Sequence, residues 1–288
     1  MQSMMRHLIA GCLLLLVGTS WVPAETLRFA PLPMQEPERV VSEVYPLLQY
    51  LEAETGLSVQ LVYTDSYSEL LERMAAGEVD LTYLGPLPYI ELSERFADVQ
   101  PLVVFREPDG QPHYTCALVS FAGAPVNSED WQQQAFALTQ PLSTCGFFAT
   151  YDLLKSQGVD LDKANFCYLE RHDEVALSVV RGEFALGGMK TQIAHAYRHL
   201  GLKIELETQP FPGFALVANQ KSLPKEHQQQ MQQALLALDP INNPEDAARV
   251  ADWGESFRFG AAEIRDSDYQ LLRDLREGVS LPEECSLP

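Results

Sequence analysis

The sequence predicts an α/β protein built in two successive passes, and three observations carry this. Short runs rich in Val, Leu, Phe and Tyr alternate with segments whose apolar residues recur every three or four positions. A stretch with Pro108, Gly110 and Pro112 interrupts the rhythm, which then restarts. The chain of 288 residues has room for one large or two medium domains.

In the first pass, Thr26–Ala30 reads as a strand and Glu38–Thr55 as a helix. Val40, Val41, Val44, Leu47, Leu48 and Leu51 form one stripe along that helix, Pro46 predicts a kink and Gly56 ends it. Strands at Val59–Tyr63, Asp80–Leu84 and Val99–Phe105 alternate with helices at Tyr67–Ala76 and Tyr89–Phe96, the latter after a Gly85-Pro86 break. Arg106–Pro112 is a candidate turn before a crossing.

The second pass has strands at Tyr114–Phe121, Ala135–Thr139, Phe166–Leu169, Phe184–Gly188, Lys203–Glu207 and Phe214–Asn219. Helices are expected at Gly146–Ser156, Glu174–Arg181 and Thr191–His199. Pro224 suits the first turn of a helix reaching Leu238, and the tail, including Asp268–Glu277, is mostly helical. Such alternation implies parallel βαβ units. Two lobes around a cleft and one continuous domain both satisfy the pattern. In either, ligands bind beyond the carboxyl ends of the strands.

Residues 1–24 read as a signal peptide. Arg6 precedes the apolar run Leu8–Gly18, and Val22-Pro23-Ala24 offers small residues for cleavage near Ala24. That run is about 11 residues, against roughly 20 for a membrane span. The mature protein is therefore expected to be exported.

Lys and Arg number 20 against 40 Asp and Glu, a formal charge of −20. Such a surface repels phosphate backbones, so no nucleic-acid partner is expected. Any anion site must rely on local dipoles. After export, Cys116, Cys145, Cys167 and Cys285 remain, and four cysteines allow three full pairings. No His-Glu-x-x-His or paired Cys-x-x-Cys spacing occurs, so no metal or cofactor is expected.

Candidate chemistry sits at strand-to-helix junctions. Ser143, Thr144, Cys145 and Gly146 fall at a helix N-terminus, where unpaired N–H groups and the positive dipole end gather. The same residues also suit a plain N-cap. Tyr83, Gly85 and Tyr89 flank a second junction, Asp65, Ser66 and Tyr67 a third, and Met34 lies in a fourth. Buried packing is the commoner fate of such tyrosines. His172 and Asp173 follow another strand, and a lone His there also suits a capping role.

These segments resemble the periplasmic solute-binding proteins of phosphate, phosphite and phosphonate ABC transporters. The similarity lies in Leu27-Arg28-Phe29-Ala30, the helix around Pro46–Leu51 with Thr55-Gly56, Thr64-Asp65-Ser66-Tyr67, and Ala76–Asp80 leading into Tyr83-Leu84-Gly85-Pro86. Ser143-Thr144-Cys145-Gly146 is similar to a Ser-Thr-Ser-Gly phosphonyl-binding turn, and His172-Asp173 to a Ser-His-Asp stretch. The resemblance implies a type II periplasmic-binding-protein fold with a hinge and an inter-lobe ligand cleft. Residues 25–112 and 213–288 would form one lobe, and residues 113–212 the other. A small anion would contact Ser143, Thr144, Cys145, Gly146 and Tyr67, with Tyr83, Gly85, His172, Lys190 and Met34 nearby. The partner would be a membrane permease or a sensor kinase, and the chain would act as a monomer.

Two departures from the family pattern stand out. Cys145 replaces a Ser, and a thiolate there would favour a soft partner, which admits an arsenite- or arsenate-sensing alternative. Lys190 replaces an acid that would pair with a substrate ammonium, so a cleft-facing Lys190 would select an anion without a nearby amine. A Cys145–His172 thiol enzyme is a third reading, and it requires hydrogen-bond contact between the two side chains.

Overall fold

The computed structural model describes residues 26–34, 37–280 and 285. The expected leader and Gln35 lie outside the described residues. The first pass comprises β1 (Thr26–Pro31), α1 (Pro37–Thr55), β2 (Ser58–Leu61), α2 (Tyr67–Ala75), β3 (Leu81–Leu84), α3 (Pro86–Arg95) and β4 (Val99–Phe105). The chain crosses through β5 (His113–Tyr114) into β6 (Cys116–Phe121), β7 (Ala135–Leu138), α4 (Ala149–Ser156), β8 (Asn165–Tyr168), α5 (His172–Val180), β9 (Leu186–Lys190), α6 (Thr191–Ala196) and β10 (Leu202–Glu207). It returns through β11 (Phe211–Pro212) to β12 (Ala215–Asn219), α7 (Lys225–Leu236), α8 (Pro244–Arg249), β13 (Ala261–Ala262) and α9 (Gln270–Arg276).

Two sheets result. One runs β13-β4-β12-β3-β1-β2 and the other β10-β6-β9-β7-β8. The crossings β5 and β11 pair with each other in a short antiparallel ribbon, Tyr114 opposite Phe211. The molecule is thus two-lobed, with two adjacent connections between the lobes. Parallel pairing holds for β1 with β2 and β3, and for β7 with β8 and β9. It fails for β12, which enters antiparallel between β3 and β4. The reason is connectivity: β12 arrives from the other lobe without a crossover helix to reverse it.

Local chemistry explains the boundaries that moved. The Gly85-Pro86 break is a helix start, since Gly85 is extended at the N-cap and Pro86 occupies the first turn, where no N–H is needed. The helix expected from Gly146 begins at Thr144 as a π-helical turn, Thr144–Phe148, in which the Phe148 N–H reaches back to the Ser143 carbonyl. Helix α5 starts at His172 rather than Glu174, and β9 runs two residues further, to Lys190.

Two stretches that carried the family resemblance meet in space. The Arg28 backbone N–H and Nε donate to Asp80 Oδ2 at 2.8 and 2.9 Å, and Nη2 reaches Oδ1 at 2.5 Å. Asp80 is only 5% exposed. Burial opposes its ionisation, but the Arg28 hydrogen bonds outweigh that and hold its carboxyl below the ordinary range. The pair ties β1 to the turn before β3, which aligns these two neighbouring strands.

Asp80→Asn should therefore cost about 1.5–3 kcal/mol of stability at pH 7, read by urea unfolding. The ionised form is the one Arg28 favours. The wild-type advantage is full above the ordinary Asp value of 3.8 and disappears as pH falls through the lower folded value. A gap unchanged at pH 2.5 would contradict this role.

Candidate functional site

The site is assembled from helix N-termini. A central space of about 20 Å³ lies between the lobes, room for little more than one water-sized group. It is lined by Tyr67 at the start of α2, Gly85 and Pro88 at the start of α3, Ser143 and Thr144 at the π-helical turn, and His172 at the start of α5. Leu32, Cys145, Lys190, which caps α6, Tyr114 from the crossing ribbon and Phe214 complete the lining. Each of these helices follows a strand, so their positive ends converge beyond the strand termini of both sheets.

Several donors are held ready. The Ser143 hydroxyl accepts from the Gly146 N–H at 3.0 Å, which leaves its own proton available. The Leu87 N–H of one lobe donates to Thr144 Oγ1 of the other at 3.0 Å. Tyr114 is 6% exposed, and its hydroxyl lies near Thr144 without a hydrogen bond of normal geometry. Burial pushes the Tyr67 and Tyr114 phenols up, so both are neutral donors at physiological pH.

His172 reaches the cleft with part of its ring, while Nδ1 is buried and unpartnered. Burial, then the Lys190 charge, pull its pKa down to about 4, against a small opposing pull from Asp173. The imidazole is therefore neutral at physiological pH. A strained connection positions it. Glu170 has φ +65°, and the Arg171 N–H closes onto the Leu169 carbonyl at 2.7 Å, a γ-turn of the uncommon positive-φ kind.

Lys190 faces the cleft, but its charge is already matched. Nζ lies 2.7 Å from Glu107 Oε1 of the 106–112 loop, with the two side chains 19% and 15% exposed. It also sits 5.2 Å from the Tyr114 ring centre and 5.7 Å from that of Phe214. A larger space of about 390 Å³ adjoins this corner and shares His172, Lys190 and Phe214 with the central one. Arg39–Glu43 at 3.0 Å and Arg171–Asp173 at 3.2 Å line it as ion pairs. Arg106, bonded to the Gly110 and Ala261 carbonyls, and Glu255 add one charge of each sign.

Two of the expected site residues, Cys145 and Gly146, play a different part from the one expected. Cys145 lines the space, but it forms a disulfide with Cys116 and offers neither thiolate nor nucleophile. The arsenic alternative and the Cys145–His172 dyad lose their reactive atom. Gly146 lies behind the turn, where an added Cβ would fall 1.7 Å from Thr139 Oγ1. Its small size serves packing rather than ligand approach. Tyr83 and Met34 line the larger space only. Tyr83 stacks on Phe214 with ring centres 5.2 Å apart and packs on Phe257 at 4.8 Å, so it borders the larger space as part of an aromatic cluster. Tyr89 turns away and bonds Asp266 at 2.6 Å. Sequence reasoning missed Tyr114 and Phe214, because nothing in their spacing separates them from core aromatics.

A family profile described as "ABC transporter, phosphonate, periplasmic substrate-binding protein" matches residues 29–269. The chain belongs to this family. The phosphate-import protein PhnD of Mycolicibacterium smegmatis is 28% identical over 174 residues, which are 57% of this chain and 54% of that protein, about half its length. A binding-protein component of the phosphonate ABC transporter of Pseudomonas aeruginosa superposes with TM-score 0.72 at 18% identity, covering 88% of this chain and 86% of that one. PhnD1 of Prochlorococcus marinus, solved with methylphosphonate, also gives 0.72, at 13% identity and 88% and 97% coverage. These structures show the type II periplasmic-binding-protein fold.

The second disulfide joins Cys167 to Cys285, so of the three possible pairings the fold selects 116–145 with 167–285. Cys116–Cys145 ties the strand after the crossing to the 143–146 turn across 29 residues. Replacing both by Ala should remove about 3–4 kcal/mol of unfolding free energy. Urea unfolding with equal midpoints for both proteins would contradict that contribution. His172 yields a pH prediction. Between its ordinary 6.5 and about 4, the unfolded chain takes up a proton there that the folded protein refuses. Stability should fall as pH is lowered through that window, and His172→Gln should flatten the fall. Identical slopes in the two proteins would count against a buried neutral imidazole.

Proposed function

We propose that this chain is the periplasmic binding component of an ABC transporter and captures a small oxyanion of the R–PO3 class between its lobes for a membrane permease. One observation carries the reading. Neutral hydroxyls and helix N-termini converge on one small space between the lobes. Such donors stabilise an anion without the bulk field, which here is repulsive.

The residues assigned to the head group are Ser143, Thr144, Tyr67, Tyr114 and His172. Thr144 Oγ1 already accepts from Leu87 N–H, so its own proton is free to point at the anion. A neutral His172 donates one N–H without adding charge. Lys190 and Glu107 cancel each other at the edge of the space. That arrangement leaves no bare carboxylate for a ligand ammonium and supports an anion without a nearby amine. A ligand touching both lobes favours the closed arrangement by its differential affinity, and closure is what a permease would read.

Isothermal titration of inorganic phosphate, phosphite, methylphosphonate and sulfate tests this. At least one phosphorus oxyanion should bind without being consumed, and Thr144→Ala should weaken it by roughly 1–3 kcal/mol. Absence of heat with all of them, or unchanged affinity in the variant, would overturn the assignment.

A further inference from the structure

The larger space beside the head-group site has a consequence for the ligand. We propose that the bound R–PO3 anion carries an uncharged, mainly apolar substituent of several heavy atoms, which lies between Phe214 and Tyr83 on one lobe and Ile193 and Tyr197 on the other. This rests on the head-group assignment above and adds the class of R.

Continuity and size come first. The space of about 390 Å³ shares three lining residues, His172, Lys190 and Phe214, with the head-group space, so a substituent leaving the phosphorus has a direct way in. Another inter-lobe space, of about 400 Å³ beside Tyr63 and Gln140, shares none and is not continuous with it. A space of 390 Å³ lies within the range that holds organic ligands, roughly 300–1,000 Å³, and far exceeds the need of a bare phosphate.

Chemistry then selects the substituent. Met34, Phe105 and Ala196 add to the apolar wall formed by the four residues already named. Phe214 stacks on Tyr83 with ring centres 5.2 Å apart and lines both spaces. Three of the four cations around the space are paired with carboxylates, and the fourth, Arg106, is held by two backbone carbonyls, so the wall offers a second ionised group on the ligand few free partners. Burial of carbon against this wall should be the main source of added affinity.

Titration of the purified protein with methylphosphonate, n-butylphosphonate, phenylphosphonate and phenyl phosphate decides it. Affinity should rise at least tenfold from methyl to butyl or phenyl. A comparable gain for phenyl phosphate would assign the preference to the substituent, whereas a gain confined to the phosphonates would assign it to a direct P–C bond. Ile193→Trp, which fills the space from the α6 side, should bring the phenyl-to-methyl affinity ratio to about one. Methylphosphonate binding as tightly as the larger compounds, or an unchanged ratio in Ile193→Trp, would overturn the proposal and leave the head-group site standing. No binding of any compound would remove both.

Discussion

An oxyanion that leaves water must exchange its hydration shell for donors already in place, and in a chain of net charge −20 the bulk field works against it. Converging helix N-termini meet that demand. Backbone dipoles are fixed by the fold and need no counter-charge, so the cleft can hold an anion among neutral groups. The two sheets exist, in this sense, to aim α2, α3, the 144–148 turn and α5 at one point.

Preorganisation costs stability in places, and the structure shows where. The Glu170 γ-turn holds a side-chain-bearing residue at positive φ to set α5 in position. Nδ1 of His172 and the Tyr114 hydroxyl are buried without partners. Against these costs stand the Arg28–Asp80 pair between β1 and β3, the Cys116–Cys145 bond behind the turn, and an apolar cluster that includes Leu84 and Leu87 of one lobe and Phe147 and Phe148 of the other. Links and packing elsewhere in both lobes thus offset the strain at the cleft.

Electrostatic neutrality is the second theme of the cleft. Lys190 is satisfied by Glu107, Arg39 by Glu43 and Arg171 by Asp173, while the phenols and the imidazole stay uncharged. A site built this way discriminates by shape and hydrogen bonding more than by net charge. It tolerates carbon next to the head group better than it tolerates a second charge.

The sequence by itself determined the alternation of strands and helices, the two passes, and the helix start at the 143–146 turn, because these follow from local periodicity and cap chemistry. It also held both halves of the Arg28–Asp80 contact, without showing that they touch. Only the tertiary structure decided which cysteines pair, that β12 runs antiparallel, and that Tyr114 and Phe214 border the site while Tyr83 packs among aromatics. Those outcomes depend on residues about 30 to more than 100 positions apart, brought together by sheet pairing within each lobe and by the two crossings between lobes. Local patterning cannot express that, since a buried tyrosine in a core and one in a cleft have the same neighbours in sequence.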